Sequence, residues 1–320
     1  MSAGKTIGVD LGGTKMAIGV LDSGSEVLWE SRERSTGHTE DSLIELLARE
    51  IGEARAAQPG IVAAGLGIPA TIDRGRGVAI SAVNLPIEDL PIRDLVSERV
   101  GLPVFVDNDA NVAALAEHLY GAARGADNAV MLTIGTGIGG GLILGGEVYR
   151  GSTGAGAELG HVVIEMDGLR CQGNCPNRGC VEALASGTAL GREGRAAAAR
   201  EPESMLGAME TEGREIDGRA VTEAALAGDA TAVGVFELIG GRLGVALASL
   251  ANAFEPEAFA IGGGVIAAGD LLLEPARRVL RARALPPMNG APVLAAQLGA
   301  DAGMIGAAAM ARLELEGGGG

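Results

Sequence analysis

Two stretches of this 320-residue chain, 123 residues apart, carry one pattern, and no other feature restricts the fold as much. Gly8–Leu21 reads GVDLGGTKMAIGVL and Met131–Leu144 reads MLTIGTGIGGGLIL. Each is an apolar strand, a polar residue, a glycine-rich turn and a second apolar strand, which is hairpin spacing. The echo predicts two related α/β lobes, each opening on a hairpin whose turn faces a shared cleft. The length suits two lobes of ordinary size. We place the first lobe at residues 1–120 and the second at 121–300. A helix at 301–316 is expected to pack back on the first lobe, and a disordered tail at 317–320 to follow. Helical periodicity is also clear at 41–57, where Leu43, Leu46, Leu47 and Ile51 recur, and at 112–120. Further helices are expected near 187–200, 219–227, 230–253 and 270–284, with strands at 63–68, 104–106 and 258–261.

Composition narrows the function classes. A net charge of −16 disfavours nucleic acid and anionic membranes, which select basic faces. Seven aromatic residues supply few stacking platforms. Glycine (53) and proline (12) stay below the roughly 25–30 per cent of low-complexity chains. The opening MSAGK leads at once into a strand, without a secretory apolar segment. The uncharged run 128–146 holds seven glycines and would make a poor membrane helix. The three cysteines are an odd number confined to ten residues, unlike a disulfide scaffold. A cytoplasmic protein is expected.

Gly12-Gly13-Thr14-Lys15 is either a plain hairpin turn or a cradle whose backbone N–H groups approach a polyphosphate. On the second reading Asp10 would hold Mg²⁺ through water, and Gly135-Thr136-Gly137 would close the other side of the phosphates. Gly135, Gly137 and Gly140 fit G-x-G-x-x-G, but an apolar strand follows instead of a helix with an acidic ribose ligand. A P-loop is excluded, because the one Gly-Lys pair is Gly4-Lys5. Asp107, Asn108 and Asp109 sit between a strand and a helix. At least one of them is expected to cap the helix. The functional alternative makes Asp109 a general base, kept ionised at the helix N-terminus, with Asn108 on a substrate hydroxyl.

His161 followed by Cys171-x₃-Cys175-x₄-Cys180 supplies a Cys₃His set for tetrahedral Zn²⁺. With four protein ligands such a site is closed and structural. Glu158 and Glu182 bracket this knuckle. They are either surface carboxylates or rigid acceptors for the vicinal hydroxyls of a polyol.

Asp10-Leu-Gly-Gly-Thr-Lys15, Asn108-Asp109-Ala-Asn111, Gly135–Gly141, Glu158-Leu-Gly-His161 and Gly179-Cys-Val-Glu182, in that order, resemble the ROK family (repressor, open reading frame, kinase). The resemblance spans residues 6 to about 312 and implies the actin-like ATPase (ribonuclease H-like) fold, with ATP on one side of the cleft and a hexose on the other. It implies that Asp109 is the catalytic base and that Asn108, Glu158, His161 and Glu182 contact the sugar. His161 and the cysteines would then hold structural zinc. Asn84, in Ala82-Val-Asn-Leu-Pro86, resembles a sugar-side loop of glucokinases above residues 67–70, and Gly263 and Gly264 resemble the adenosine-side turn. The family more often shows C-x-C-x₄-C, so two extra residues separate Cys171 from Cys175. A site without Cys171 would hold zinc more weakly and leave Asp109 and Glu158 unaffected.

The expected activity is ATP-dependent phosphorylation of glucose at its 6-hydroxyl, with Mg²⁺ accompanying ATP, and the family resemblance implies a homodimer or homotetramer. Alternatives are a sibling kinase for mannose, fructose, N-acetylglucosamine or N-acetylmannosamine, and a sugar-binding protein without turnover. A sugar-sensing repressor would need a DNA-binding helix-turn-helix of roughly 60–80 residues before the first glycine turn, where Asp10 already lies in a strand.

Overall fold

A computed structural model describes residues 4–82 and 84–317; the end of the expected tail, 318–320, lies outside the described residues. In chain order the first elements are β1 (Lys5–Leu11), β2 (Lys15–Leu21), β3 (Val27–Arg34), α1 (Glu40–Ala57), β4 (Ile61–Ile68), β5 (Ala70–Asp73), β6 (Val78–Ala82), β7 (Glu88–Leu90), α2 (Ile92–Val100), β8 (Val104–Asn108) and α3 (Asp109–Tyr120). Next come β9 (Ala129–Ile134), β10 (Ile138–Leu144), β11 (Glu147–Val148), α4 (Val181–Ala185), α5 (Gly187–Arg200), α6 (Met205–Thr211), α7 (Gly218–Leu226) and α8 (Ala230–Phe254). The chain ends with β12 (Ala258–Gly262), α9 (Asp270–Arg283), β13 (Val293–Ala295) and α10 (Ala302–Glu316).

Two compact units result. One holds the chain up to Gly125, Gly141–Ala157 and everything from Leu298 on; the other holds Ala126–Gly140 and Glu158–Gln297. The first unit carries a five-stranded sheet in the order β3-β2-β1-β4-β8, with β1 antiparallel to β2 and parallel to β4. A small sheet, β5-β6-β7, adjoins it in sequence. The second five-stranded sheet runs β11-β10-β9-β12-β13, and its parallel strands β9, β12 and β13 belong to the second unit.

In the first unit α1 covers one face of the sheet with Leu43, Leu46, Leu47 and Ile51. The other face is made for close contact. Gly19, Gly8 and Gly65 lie side by side on β2, β1 and β4, because Gly8 pairs with both of the others. A Cβ on Gly8 or Gly65 would stand 1.9 Å from the backbone oxygen of Met304 or Ala307, and one on Gly19 would stand 2.5 Å from Met304 Sδ. The three glycines form a trough that seats α10, a helix of small residues. On the far side of α10, a Cβ at Gly306 would lie 1.7 Å from the Val112 oxygen of α3.

The second unit is built around α8. This helix has the length and apolarity of a membrane span, yet 56% of its most apolar window is buried, and it packs on α5, α7 and α9. Gly240 and Gly244 bring it against the α9 backbone, where added Cβ atoms would meet the oxygens of Leu272 at 2.5 Å and Ala276 at 2.6 Å. Apolar faces of this kind supply most of the stability of such helices.

Candidate active site

In the first unit the β1–β2 turn is closed by Gly12 N–H donating to the Lys15 oxygen at 2.9 Å. Ser35, buried after β3, holds it from behind: its Oγ donates to Gly12 O at 2.6 Å and its N–H to Thr14 O at 3.3 Å. Ser35 carried no signal in the sequence. Asn84 lies against the turn, with its Cβ 2.8 Å from where a Cβ on Gly13 would stand. The Thr14 and Lys15 side chains are exposed.

Asp10 sits inside β1, and its carboxylate lies 2.5 Å from the place of a Gly303 side chain, at the first turn of α10. Burial, reinforced by the charge of Asp109 and opposed by Arg32, pushes Asp10 up to about 7. A carboxylate costly to ionise without a counter-charge is a suitable donor for a cation. The effect on stability has a defined sign. Folded Asp10 keeps its proton until about pH 7, whereas its ordinary value is 3.8. Stability from this group is therefore complete below that ordinary value and is lost as pH rises towards 7. Asp10→Asn should accordingly raise the urea midpoint of the ligand-free protein at pH 8 and change it little at pH 4. A gain confined to low pH would contradict this assignment.

The Asp107–Asp109 segment divides its tasks. Asn108 is the N-cap of α3, accepting from the N–H groups of Ala110 at 2.9 Å and Asn111 at 3.3 Å. Its Nδ2 reaches Ala70 O at 3.4 Å. Asp107 is buried and receives Asn108 N–H at 2.8 Å, Asn111 Nδ2 at 3.1 Å and Arg150 Nε at 2.6 Å. Asp109 opens α3, where its Oδ1 accepts from Ala110 N–H at 2.9 Å. Gly67 of β4 leaves room for this helix start, since a Cβ there would stand 2.6 Å from Val112 Cγ2. Asp10, Gly12–Lys15, Asn84, Asn108 and Asp109 thus all belong to one unit.

Gly135, Thr136, Gly137, Glu158, His161, Glu182, Gly263, Gly264 and the cysteines belong to the other. A cavity of about 960 Å³ in that unit is lined by Gly135, Thr136, Thr188, Gly218, Gly264 and Val265, among others. The helices α5 and α7 begin at its wall, capped by Ser186 and Asp217. Helix N-termini favour anions. Gly264 lines the cavity, whereas Gly263, at φ +86°, packs on the Ile134 backbone where any Cβ would come within 2.4 Å. Gly187, Thr188, Gly218 and Val265 were missed from sequence. Glu158 is exposed at the start of a short turn, Leu159–His161. Gly160 seats that turn on β10: its Cβ would lie 2.0 Å from Ile138 O.

The four sequence-predicted ligands come together, including Cys171. One donor atom from each of His161, Cys171, Cys175 and Cys180 lies within 4.8 Å of all the others. His161 Nδ1 is 3.4 Å from Cys171 Sγ, and the Sγ atoms of Cys175 and Cys180 are 3.9 Å apart. These are edges of a tetrahedron with metal–sulfur bonds of about 2.3 Å, and far longer than a disulfide of about 2.05 Å. The residues fit zinc. Burial, reinforced by the Cys175 thiol, pushes Cys171 and Cys180 upward, so a metal entering here displaces protons.

The family model for ROK matches residues 6–314. The chain belongs to the ROK family. It is 40% identical to the glucokinase of Streptomyces coelicolor over 317 residues, covering 97% of this chain and 98% of that protein. Among solved ROK structures, it resembles the Streptomyces griseus glucokinase in complex with glucose and AMPPNP, with a TM-score of 0.84 and 39% identity over 97% of this chain and 99% of the other. It also resembles a ROK transcriptional regulator, a homologue of the E. coli MLC protein, with a TM-score of 0.89 and 29% identity over 98% of this chain and 79% of that one. The fold is therefore that of ROK glucokinases, the actin-like ATPase fold.

Proposed function

We propose that this ROK protein is an ATP-dependent sugar kinase that phosphorylates glucose at its 6-hydroxyl. The observation that carries the reading is the near end-to-end likeness to glucokinases, one of them solved with glucose and an ATP analogue. Asp109 is the general base: at the N-terminus of α3 it accepts the hydroxyl proton as the oxygen attacks the γ-phosphorus in line. Asn84, Asn108, Glu158, His161 and Glu182 orient the sugar hydroxyls. The turns Gly12–Lys15 and Gly135–Gly137, with Gly263 and Gly264, receive ATP. Mg²⁺ bound with ATP would neutralise charge on the transferring group, with Asp10 as its protein acceptor. A zinc ion on His161, Cys171, Cys175 and Cys180 would fix the loop that carries His161 and precedes Glu182. We read the protein as cytoplasmic and a homodimer or homotetramer, with residues 1–120 and 121–300 as its functional lobes and 301–316 returning to the first.

The test is ADP release with Mg-ATP against glucose, mannose, fructose, N-acetylglucosamine and N-acetylmannosamine. Preference for glucose is the expected result. Preference for an N-acetylated sugar would keep the base and overturn the substrate. Binding of a sugar without turnover would favour the second reading, a sugar-responsive regulator, to which the likeness to the ROK regulator lends support.

The zinc assignment makes its own prediction. Cys171→Ser should release zinc to a competing chelator far more readily than the parent protein, because one of four soft ligands is gone. Equal retention would take Cys171 out of the site.

A further inference from the structure

The segment after the last cysteine closes over the second glycine turn. Ile138 N–H donates to Glu182 Oε2 at 2.8 Å. Gly187 N–H donates to Gly135 O at 2.7 Å, and Thr188 Oγ1 donates to Thr136 O at 2.8 Å. A Cβ on Gly137 would stand 2.3 Å from Glu182 Oε2, so the carboxylate lies directly against the turn. Residues 182–188 therefore engage the backbone of Gly135, Thr136 and Ile138.

The knuckle holds the same segment from its other end. Cys171 Sγ lies 3.8 Å from Glu182 Oε1. Gln172, inside the Cys171–Cys175 loop, donates from Nε2 to Ser186 Oγ at 3.2 Å. Ser186 is fully buried and caps α5, accepting Ala189 N–H at 3.3 Å. One turn of chain thus joins the Cys₃His cluster to the turn that walls the large cavity.

We infer that Glu182, Ser186 and Thr188 are positioning residues that couple the metal knuckle to the nucleotide turn, so that each ligand binds more tightly when the other is present. The inference rests on the zinc and ATP reading above. A metal that closes the knuckle removes freedom from residues 171–180 and hence from the clamp. The clamp fixes the turn, and linkage makes the effect reciprocal.

The experiment follows zinc release from the zinc-loaded protein into a zinc-selective chelator that spares Mg²⁺, with and without saturating Mg-AMPPNP. Nucleotide should slow release by about 5-fold or more. Thr188→Val, which touches no metal ligand, should release zinc at the parental rate without nucleotide and lose most of the slowing. Its nucleotide Kd should rise while its sugar Kd stays put. Gln172→Ala, changed on a half-buried loop, should also reduce the slowing and serves if Thr188→Val does not fold. Equal release with and without nucleotide, under saturation shown by calorimetry, would overturn the coupling and leave the kinase reading intact. A protein that retains no zinc, or binds no nucleotide when zinc-loaded, would overturn that reading and the coupling with it.

Discussion

Asp109→Asn is expected to lower kcat by about 10²–10⁴-fold, the range typical of removing a general base. The amide keeps the size and the helix-start position of the side chain, so sugar affinity should stay near the parental value. The KM-against-kcat split distinguishes this from general damage: loss confined to kcat marks a group needed only in the transition state. Asn108→Asp offers a contrast, because a carboxylate can still cap α3 through the N–H groups of Ala110 and Asn111. It should fold normally and change sugar affinity more than the chemical step. Near-parental turnover in Asp109→Asn, measured by ADP release, would remove this residue from the base role.

The largest expected stability effect lies under α10. Gly65→Val should destabilise the first unit by about 3 kcal/mol or more, the scale of severe overpacking. A Cβ there would meet the Ala307 backbone oxygen at 1.9 Å, and backbone cannot swing away as a flexible side chain can. Gly8→Ala should act similarly through Met304 O. Gly52→Ala is the opposite control. Gly52 is exposed in α1 with nothing within 4 Å of an added Cβ. It should gain up to about 1 kcal/mol from improved helix propensity. Urea unfolding of the three variants checks the signs, and a neutral Gly65→Val would mean that α10 is not seated in the glycine trough.

The hairpins were the most legible part of the chain. The sequence echo at an offset of 123 residues reappears in the strands, since β1 and β9 end at Leu11 and Ile134, and β2 and β10 span Lys15–Leu21 and Ile138–Leu144. The helices expected at 41–57, 187–200 and 230–253 are α1, α5 and α8, the first legible from its apolar spacing and the other two from Ala/Arg-rich composition. What stayed hidden has particular causes. β3 is an edge strand whose sequence, VLWESRER, is half charged and buries no residue fully, so no alternation marks it. α3 begins at Asp109, ahead of its apolar residues, because Asn108 caps a first turn that reads as a polar loop. α2 is a nine-residue helix that buries only Ile92, Val96 and Val100, too few to stand out.

The site was legible where chemistry needs rare residues close in sequence. His161 and three cysteines announce themselves by type and spacing. The clamps on the two glycine turns do not. Ser35 and Thr188 reach their turns from 23 and 52 residues away along the chain, each by a side-chain hydrogen bond that any serine or threonine can make. The cavity wall was missed for a similar reason. It is built from the capped starts of α5 and α7, and Ser and Asp caps occur at helices everywhere.

The trough under α10 also sets an order of assembly. Domains usually mature in the sequence in which they leave the ribosome. Here the sheet of the first unit presents a bare glycine face until residues 302–316, which follow the whole of the second unit in the chain, arrive to cover it. The greater part of the second unit, Glu158–Gln297, is one continuous stretch and is delivered earlier. The first unit is therefore begun before the second and completed after it, and its open sheet is the surface that a chaperone would have to guard in the interval.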